Sequence, residues 1–243
     1  MTAAAQAAGI HAAVQLLRAG RLGGTTFTKV VVGGHSLGSV LAIGAVTTYP
    51  EDADGVLITG FTHNIDPEGV GRVIQSFHPA ALDPAFAQAQ PPYDAGYVTR
   101  MPGTRDADFY APATADPAVV ARDEATKDVL SNTESDTAAA YLDPAVSRSI
   151  QVPVLLVSGE FDILFVCTPT GPPCSAETLL AQETPLYGPR ACLRAFVLPD
   201  AGHSLNLFPN VRRAWKAVGR WVDEFVGSRT SVTAARTASC PSS

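Results

Sequence analysis

The sequence predicts an α/β protein, with a mostly parallel sheet, crossover helices and an inserted helical cap. Three observations lead there. Short apolar runs at 28–32, 56–59, 152–157 and 193–198 alternate with stretches of helical spacing. The first run opens directly into Gly34-His35-Ser36-Leu37-Gly38 and then a segment of small apolar residues. Between 61 and 150 the alternation stops and Pro, Asp, Ala and Gly recur, a stretch too long for a plain loop within a compact domain.

Residues 3–19 are Ala-rich, with Ile10, Val14, Leu16 and Leu17 near helical spacing and Gly20 where a C-cap is expected. A Gly-containing loop leads to Thr28-Lys29-Val30-Val31-Val32, whose β-branched side chains suit a strand buried on both faces. After the Ser36 turn, 40–46 reads as a helix packed under the sheet, ending before Pro50. Asp52-Ala53-Asp54-Gly55 is a turn, and Val56-Leu57-Ile58-Thr59 a second buried strand. Within the insertion, 117–130 suits a helix. Val152-Pro153-Val154-Leu155-Leu156-Val157 is a third strand, 176–184 a helix and 193–198 a fourth strand. In 211–226, Val211, Trp215, Val218, Val222 and Phe225 recur at helical spacing. This divides the chain into 1–60 and 151–227 as two parts of one core, 61–150 as the cap, and 228–243 as a Ser/Thr/Ala-rich tail expected to be disordered.

Composition removes several classes of function. A chain of 243 residues with 46% hydrophobic and 16% charged residues has the make-up of a globular enzyme. A net charge of −6 and a pI near 5.3 leave no basic surface for nucleic acid. The longest apolar stretch, 30–46, is broken by His35, Ser36 and Ser39, so no membrane span is expected. The N-terminus lacks the basic and continuous apolar regions of a signal peptide. Cys167, Cys174, Cys192 and Cys240 have no metal-ligand spacing. Cys167 and Cys174 bracket a Pro/Gly-rich loop that a local disulfide could close, which would suit a secreted lineage; two unpaired thiols are the alternative, and the compartment stays open. Neither metal nor cofactor is implied.

A serine hydroxyl needs a base to take its proton, a group to orient that base, and donors for the developing oxyanion. Alone, a Gly-x-Ser-x-Gly pentapeptide arises by chance too often to carry an assignment. A strand before it and a helix after it make it a nucleophile elbow at Ser36. Gly34 and Gly38 are expected where the backbones approach too closely for a Cβ. Asp162 follows the third strand and His203 the fourth, so Ser, Asp and His occur in that order, each just past a separate strand. Asp66 is a weaker candidate for the acid. Glu160 and Asp200 suit surface positions, and His35 suits a packing or pocket-lining role. His11, His63 and His78 suit surface or structural roles.

With VVVGGHSLGS, PVLLVSGEFD and LPDAGHSLNLF in place, residues 1–227 resemble the later two-thirds of an α/β hydrolase. The resemblance implies Ser36 as nucleophile, His203 as base, Asp162 as acid, an acyl-enzyme intermediate, and the Leu37 N–H as one oxyanion donor. Family members carry further strands before the elbow, so the resemblance implies an N-terminally truncated fold. It also implies a missing second oxyanion donor, whose loss costs on the order of 100- to 1,000-fold in turnover. The first strand would then be an open edge where copies self-associate. The expected function is hydrolysis of a small-molecule carboxylic ester or related acyl bond. The alternatives are a serine peptidase or acyltransferase on the same fold, or a weak or inactive remnant that acts by binding.

Overall fold

The computed structural model describes residues 1–110, 114–165 and 173–227. Helix α1 (Ala3–Arg18) starts at Thr2, whose hydroxyl accepts from the Ala5 N–H, and buries Ala3, Ala7 and Val14. Its polar face is tied to the turn before the second strand. His11 and Gln15 both reach the Asp52 carboxylate, and Arg18 donates to the Asp52 carbonyl and to Asp54.

Strand β1 spans Val31–His35, later than the expected 28–32. The reason is local. The Val30 N–H donates to the Asp54 carboxylate at 3.0 Å and the Asp54 N–H to the Val30 carbonyl at 2.8 Å, so this exchange precedes the ladder. The strand instead runs on through Gly33, Gly34 and His35, which pair with Leu57, Ile58 and Thr59. Helix α2 (Leu37–Thr48) is longer than expected and buries every residue from Ser39 to Val46. Strands β2 (Gly55–Thr59), β6 (Val154–Gly159) and β7 (Arg194–Leu198) complete a parallel sheet of order β1-β2-β6-β7. These ranges lie within two residues of the expected ones.

Both faces of the sheet are covered, which is why the strands read as continuous apolar runs. Val154 and Leu156 of β6 join one core with Val40, Ile43, Val56, Ile58 and Leu179, the last from helix α8 (Ala176–Glu183). Leu155 and Val157 face a second core with Leu198, Phe208, Ala214 and Trp221. That side is closed by helix α9 (Arg212–Trp221), continued by a wider turn over Val222–Val226.

The segment between β2 and β6 holds helices α3 (Pro67–Gln75), α4 (Arg105–Phe109), α5 (Pro117–Ala125), α6 (Asn132–Ala138) and α7 (Pro144–Arg148). It also holds an antiparallel sheet of β3 (Phe77–Pro79), β4 (Tyr97–Arg100) and β5 (Leu130–Ser131). Strands this short leave no readable alternation, so the sequence announced only helices there. The recurring Asp and Pro have a physical reason. Asp66, Asp116 and Asp143 each cap a helix through a backbone N–H, with a proline at the next position. Tyr141 packs so closely on α2 that a Cβ at Gly44 would strike its ring. Cys174 takes part in a disulfide, and so does Cys192. Cys167, Cys240 and the tail 228–243 lie outside the described residues. No described helix is long and apolar enough to cross a membrane.

Candidate active site

The parallel strands all end on one edge of the sheet, and the candidate residues follow those ends. Ser36 follows β1 with φ 54° and ψ −122°, a conformation that turns strand into helix within one residue. Such a conformation costs on the order of 1–3 kcal/mol and persists only where its surroundings enforce it. Here the Ser36 N–H donates to the Thr59 carbonyl at 2.9 Å, and Ser39 N–H closes back on the Ser36 carbonyl at 2.9 Å. A Cβ on Gly34 would collide with the Gly38 carbonyl, so this position must be glycine. Gly38 departs from expectation: a Cβ there would meet open space. The crowding is one-sided, because it is the carbonyl of Gly38 and not its α-carbon that faces β1.

Asp162 and His203 come together. The Asp162 Oδ2 lies 2.8 Å from His203 Nδ1, and both residues are buried, at 2% and 3% exposed. The other carboxylate oxygen accepts from the N–H groups of Leu164 (2.9 Å) and Phe165 (3.2 Å). Burial by itself would raise the Asp162 pKa. The adjacent His203 and the two backbone donors outweigh it and hold the carboxyl below its ordinary range. The loops carrying the pair are laced together. Phe161 N–H donates to the Ala201 carbonyl (2.8 Å), and Asp200 N–H to the Glu160 carboxylate (2.8 Å). A Cβ on Gly159 would strike the Gly202 carbonyl.

The His203 ring is enclosed by three others: His35 at 4.8 Å between centroids, Phe109 at 5.4 Å and Phe165 at 5.6 Å. The Ser204 N–H donates to the Phe109 carbonyl at 2.9 Å, tying α4 to the loop after β7. His35 places the Ser36 turn beside His203. Among the described residues, no hydrogen bond joins the Ser36 hydroxyl to His203. Leu37 opens α2, so its N–H has no partner one turn earlier in the helix and sits where the helix dipole favours negative charge.

The remaining candidates are engaged in other contacts. Asp66 caps α3 by accepting from the Gly69 N–H at 3.0 Å. Glu160 braces the Asp200 backbone, and His11 pairs with Asp52. His78 pairs with Asp83, which also takes Lys127. His63 is buried between Glu183 (2.6 Å) and Ser147 (3.0 Å). Among the described residues, no group of three or more His, Cys, Asp or Glu side chains could hold a metal ion. A cavity of about 340 Å³ between α4 and α5 is lined by Asp106, Val120 and Glu124 among others and contains none of the site residues. The sequence did not single out Thr59, Ser39, Phe109 or Phe165. Ser39 carries only a hydroxyl beside the motif and Thr59 only one at the end of an apolar strand, and the two phenylalanines reach His203 from distant parts of the chain.

Residues 2–215 match the model of a family described as "Alpha/beta hydrolase family". No curated protein matches the chain. Among solved structures, it is similar to E-2-(acetamidomethylene)succinate hydrolase, at 19% identity and a TM-score of 0.56, covering 91% of this chain and 74% of that one. It is similar to a soluble variant of monoglyceride lipase from Saccharomyces cerevisiae at 16% identity and a TM-score of 0.55, with 88% and 67% covered. It is also similar to the esterase domain of a Rhodothermus marinus protein at 18% identity and a TM-score of 0.53, with 90% and 69% covered.

Proposed function

The chain belongs to the alpha/beta hydrolase family, and from that premise we propose that it is a serine hydrolase acting on a carboxylic ester through Ser36, His203 and Asp162. The observation that carries this reading is the buried 2.8 Å pair of Asp162 and His203 on the sheet edge where the Ser36 turn emerges. Similarity to an esterase domain and a lipase supports an ester as the bond cleaved.

The chemistry follows from the groups. Asp162 accepts from His203 Nδ1–H, which leaves the lone pair on Nε2 for the Ser36 proton. As Ser36 Oγ attacks the acyl carbon, its proton passes to Nε2 and the carbonyl electron pair moves onto oxygen. The Leu37 N–H donates to that oxyanion. The C–O bond to the alcohol then breaks, His203 returns the proton to the leaving oxygen, and water repeats the sequence to release the acid. Residues 61–150 act in this reading as a cap over the site, with Phe109 as the wall that reaches His203.

A fluorophosphonate probe tests the assignment. Labelling should be stoichiometric in folded wild-type protein and absent in Ser36→Ala. A folded wild type that never labels, beside a reactive control hydrolase, leaves the remnant that acts by binding as the surviving reading.

A further inference from the structure

We propose that Thr59 is a positioning residue of this site: its hydroxyl fixes the His35 ring in one orientation and one tautomer, and His35 in turn braces His203. The proposal rests on the hydrolase reading above, because it assigns a role within that site.

Thr59 is the last residue of β2 and is buried. All of its polar atoms are engaged with the elbow. Its N–H donates to Ser39 Oγ at 3.0 Å, and its carbonyl accepts from Ser39 Oγ and from the Ser36 N–H, both at 2.9 Å. Its hydroxyl donates to the Gly34 carbonyl at 2.9 Å and lies 3.0 Å from His35 Nδ1. A hydroxyl has one hydrogen, and the carbonyl can only accept. The hydroxyl is therefore the acceptor toward His35, so Nδ1 carries the ring proton and Nε2 the lone pair. Backbone pairing already joins β1 to β2; the hydroxyl adds a fixed side chain rather than the strand contact itself.

His35 is where that constraint matters, because its ring lies 4.8 Å from that of His203. Gly60, at φ 56°, makes room for both: a Cβ there would fall 2.5 Å from His35 Cε1 and 3.2 Å from His203 Cε1. His203 becomes a cation each time it takes the Ser36 proton, so the ring beside it must be neutral and still. Burial first, then the neighbouring His203, lowers the His35 pKa to about 3 against a smaller opposing pull from Asp162, which keeps that ring uncharged.

The test reads tautomer and turnover together. In ¹⁵N-labelled wild-type protein, His35 should show a protonated Nδ1 and an unprotonated Nε2, unchanged from about pH 5 to pH 8. Thr59→Val keeps the volume and removes the hydroxyl. It should mix the tautomers and lower kcat on the order of 10- to 100-fold, with KM within about twofold. Thr59→Ser should restore both, which a loss of packing would not predict. Thr59→Ala serves if the valine variant does not fold. A wild-type His35 protonated on Nε2 or titrating within that range overturns the proposal with no variant needed. So does full turnover in folded Thr59→Val or Thr59→Ala. The two failures are distinguishable. An unlabelled Ser36 in wild-type protein overturns the hydrolase reading, whereas normal labelling with unchanged Thr59→Val turnover overturns the positioning role alone.

Discussion

A carboxylate that accepts two backbone N–H groups on one oxygen leaves only the other free to face a base, and Asp162 is held this way against His203. Replacing it with Asn keeps the shape but presents an amide to Nδ1 and favours the wrong tautomer. Asp162→Asn should therefore lower kcat on the order of 10⁴-fold with the fold intact, read by steady-state kinetics beside circular dichroism. The elbow glycines make a sharper contrast. Gly34→Ala places a methyl on the Gly38 carbonyl, whereas Gly38→Ala places one in open space on a helix. The first should fail to yield folded protein. The second should fold and match or exceed the wild-type Tm, since Ala is favoured over Gly in a helix by roughly 0.5–1 kcal/mol. Asp162, His203 and both glycines were legible in the sequence. The asymmetry between the glycines was not, because it depends on which atom of residue 38 faces β1.

At the scale of elements, α2 is closely packed. Its buried run from Ser39 to Val46 leaves no polar face, and its neighbour Tyr141 comes from the far end of the inserted segment. Gly44→Val should destabilise the protein by about 1–3 kcal/mol, or more if Tyr141 cannot move, measured by urea unfolding. The elements of the hydrolase core were readable because long apolar runs have only one use in a doubly covered sheet. Their edges were less so. The start of β1 was displaced by the Asp54 side chain, a contact across 24 residues. The small antiparallel sheet of β3, β4 and β5 is not legible in the sequence because its strands are too short to show a period, while the Asp-Pro caps beside it are a local signal of helix starts.

For the molecule as a whole, the buried titrating groups set a direction with pH. His35 has its folded pKa depressed from 6.5 to about 3. Between those values the unfolded chain binds the proton and the folded chain does not, so stability rises with pH through that window and is lost on acidification. Each unit of depression corresponds to roughly 1.4 kcal/mol at full effect. Asp162 and Asp83 act in the same direction at lower pH. Burial would raise both, but His203 holds Asp162 down, and Lys127 with its neighbours holds Asp83 down. Their stabilising effect is present above the ordinary carboxylate range and lost as pH falls through their lowered values. The urea midpoint should therefore drop from pH 7 to pH 4.5, and His35→Gln should flatten that slope; an equally steep slope in the variant would locate the acid sensitivity elsewhere.

The sheet-and-helix alternation, the turn at Ser36 and the order of Ser, Asp and His can all be read along the chain. Each of these is written in local spacing: a strand run, a glycine-bracketed turn, a polar residue just past an apolar stretch. Tertiary structure alone decided what surrounds them. Thr59 reaches back 24 residues to His35, and Phe109 and Phe165 close on His203 from opposite sides of β6 in the chain. Such contacts bring together residues far apart in sequence, and the parallel pairing of β1, β2, β6 and β7, with the Ser204–Phe109 backbone bond, sets their separation in space.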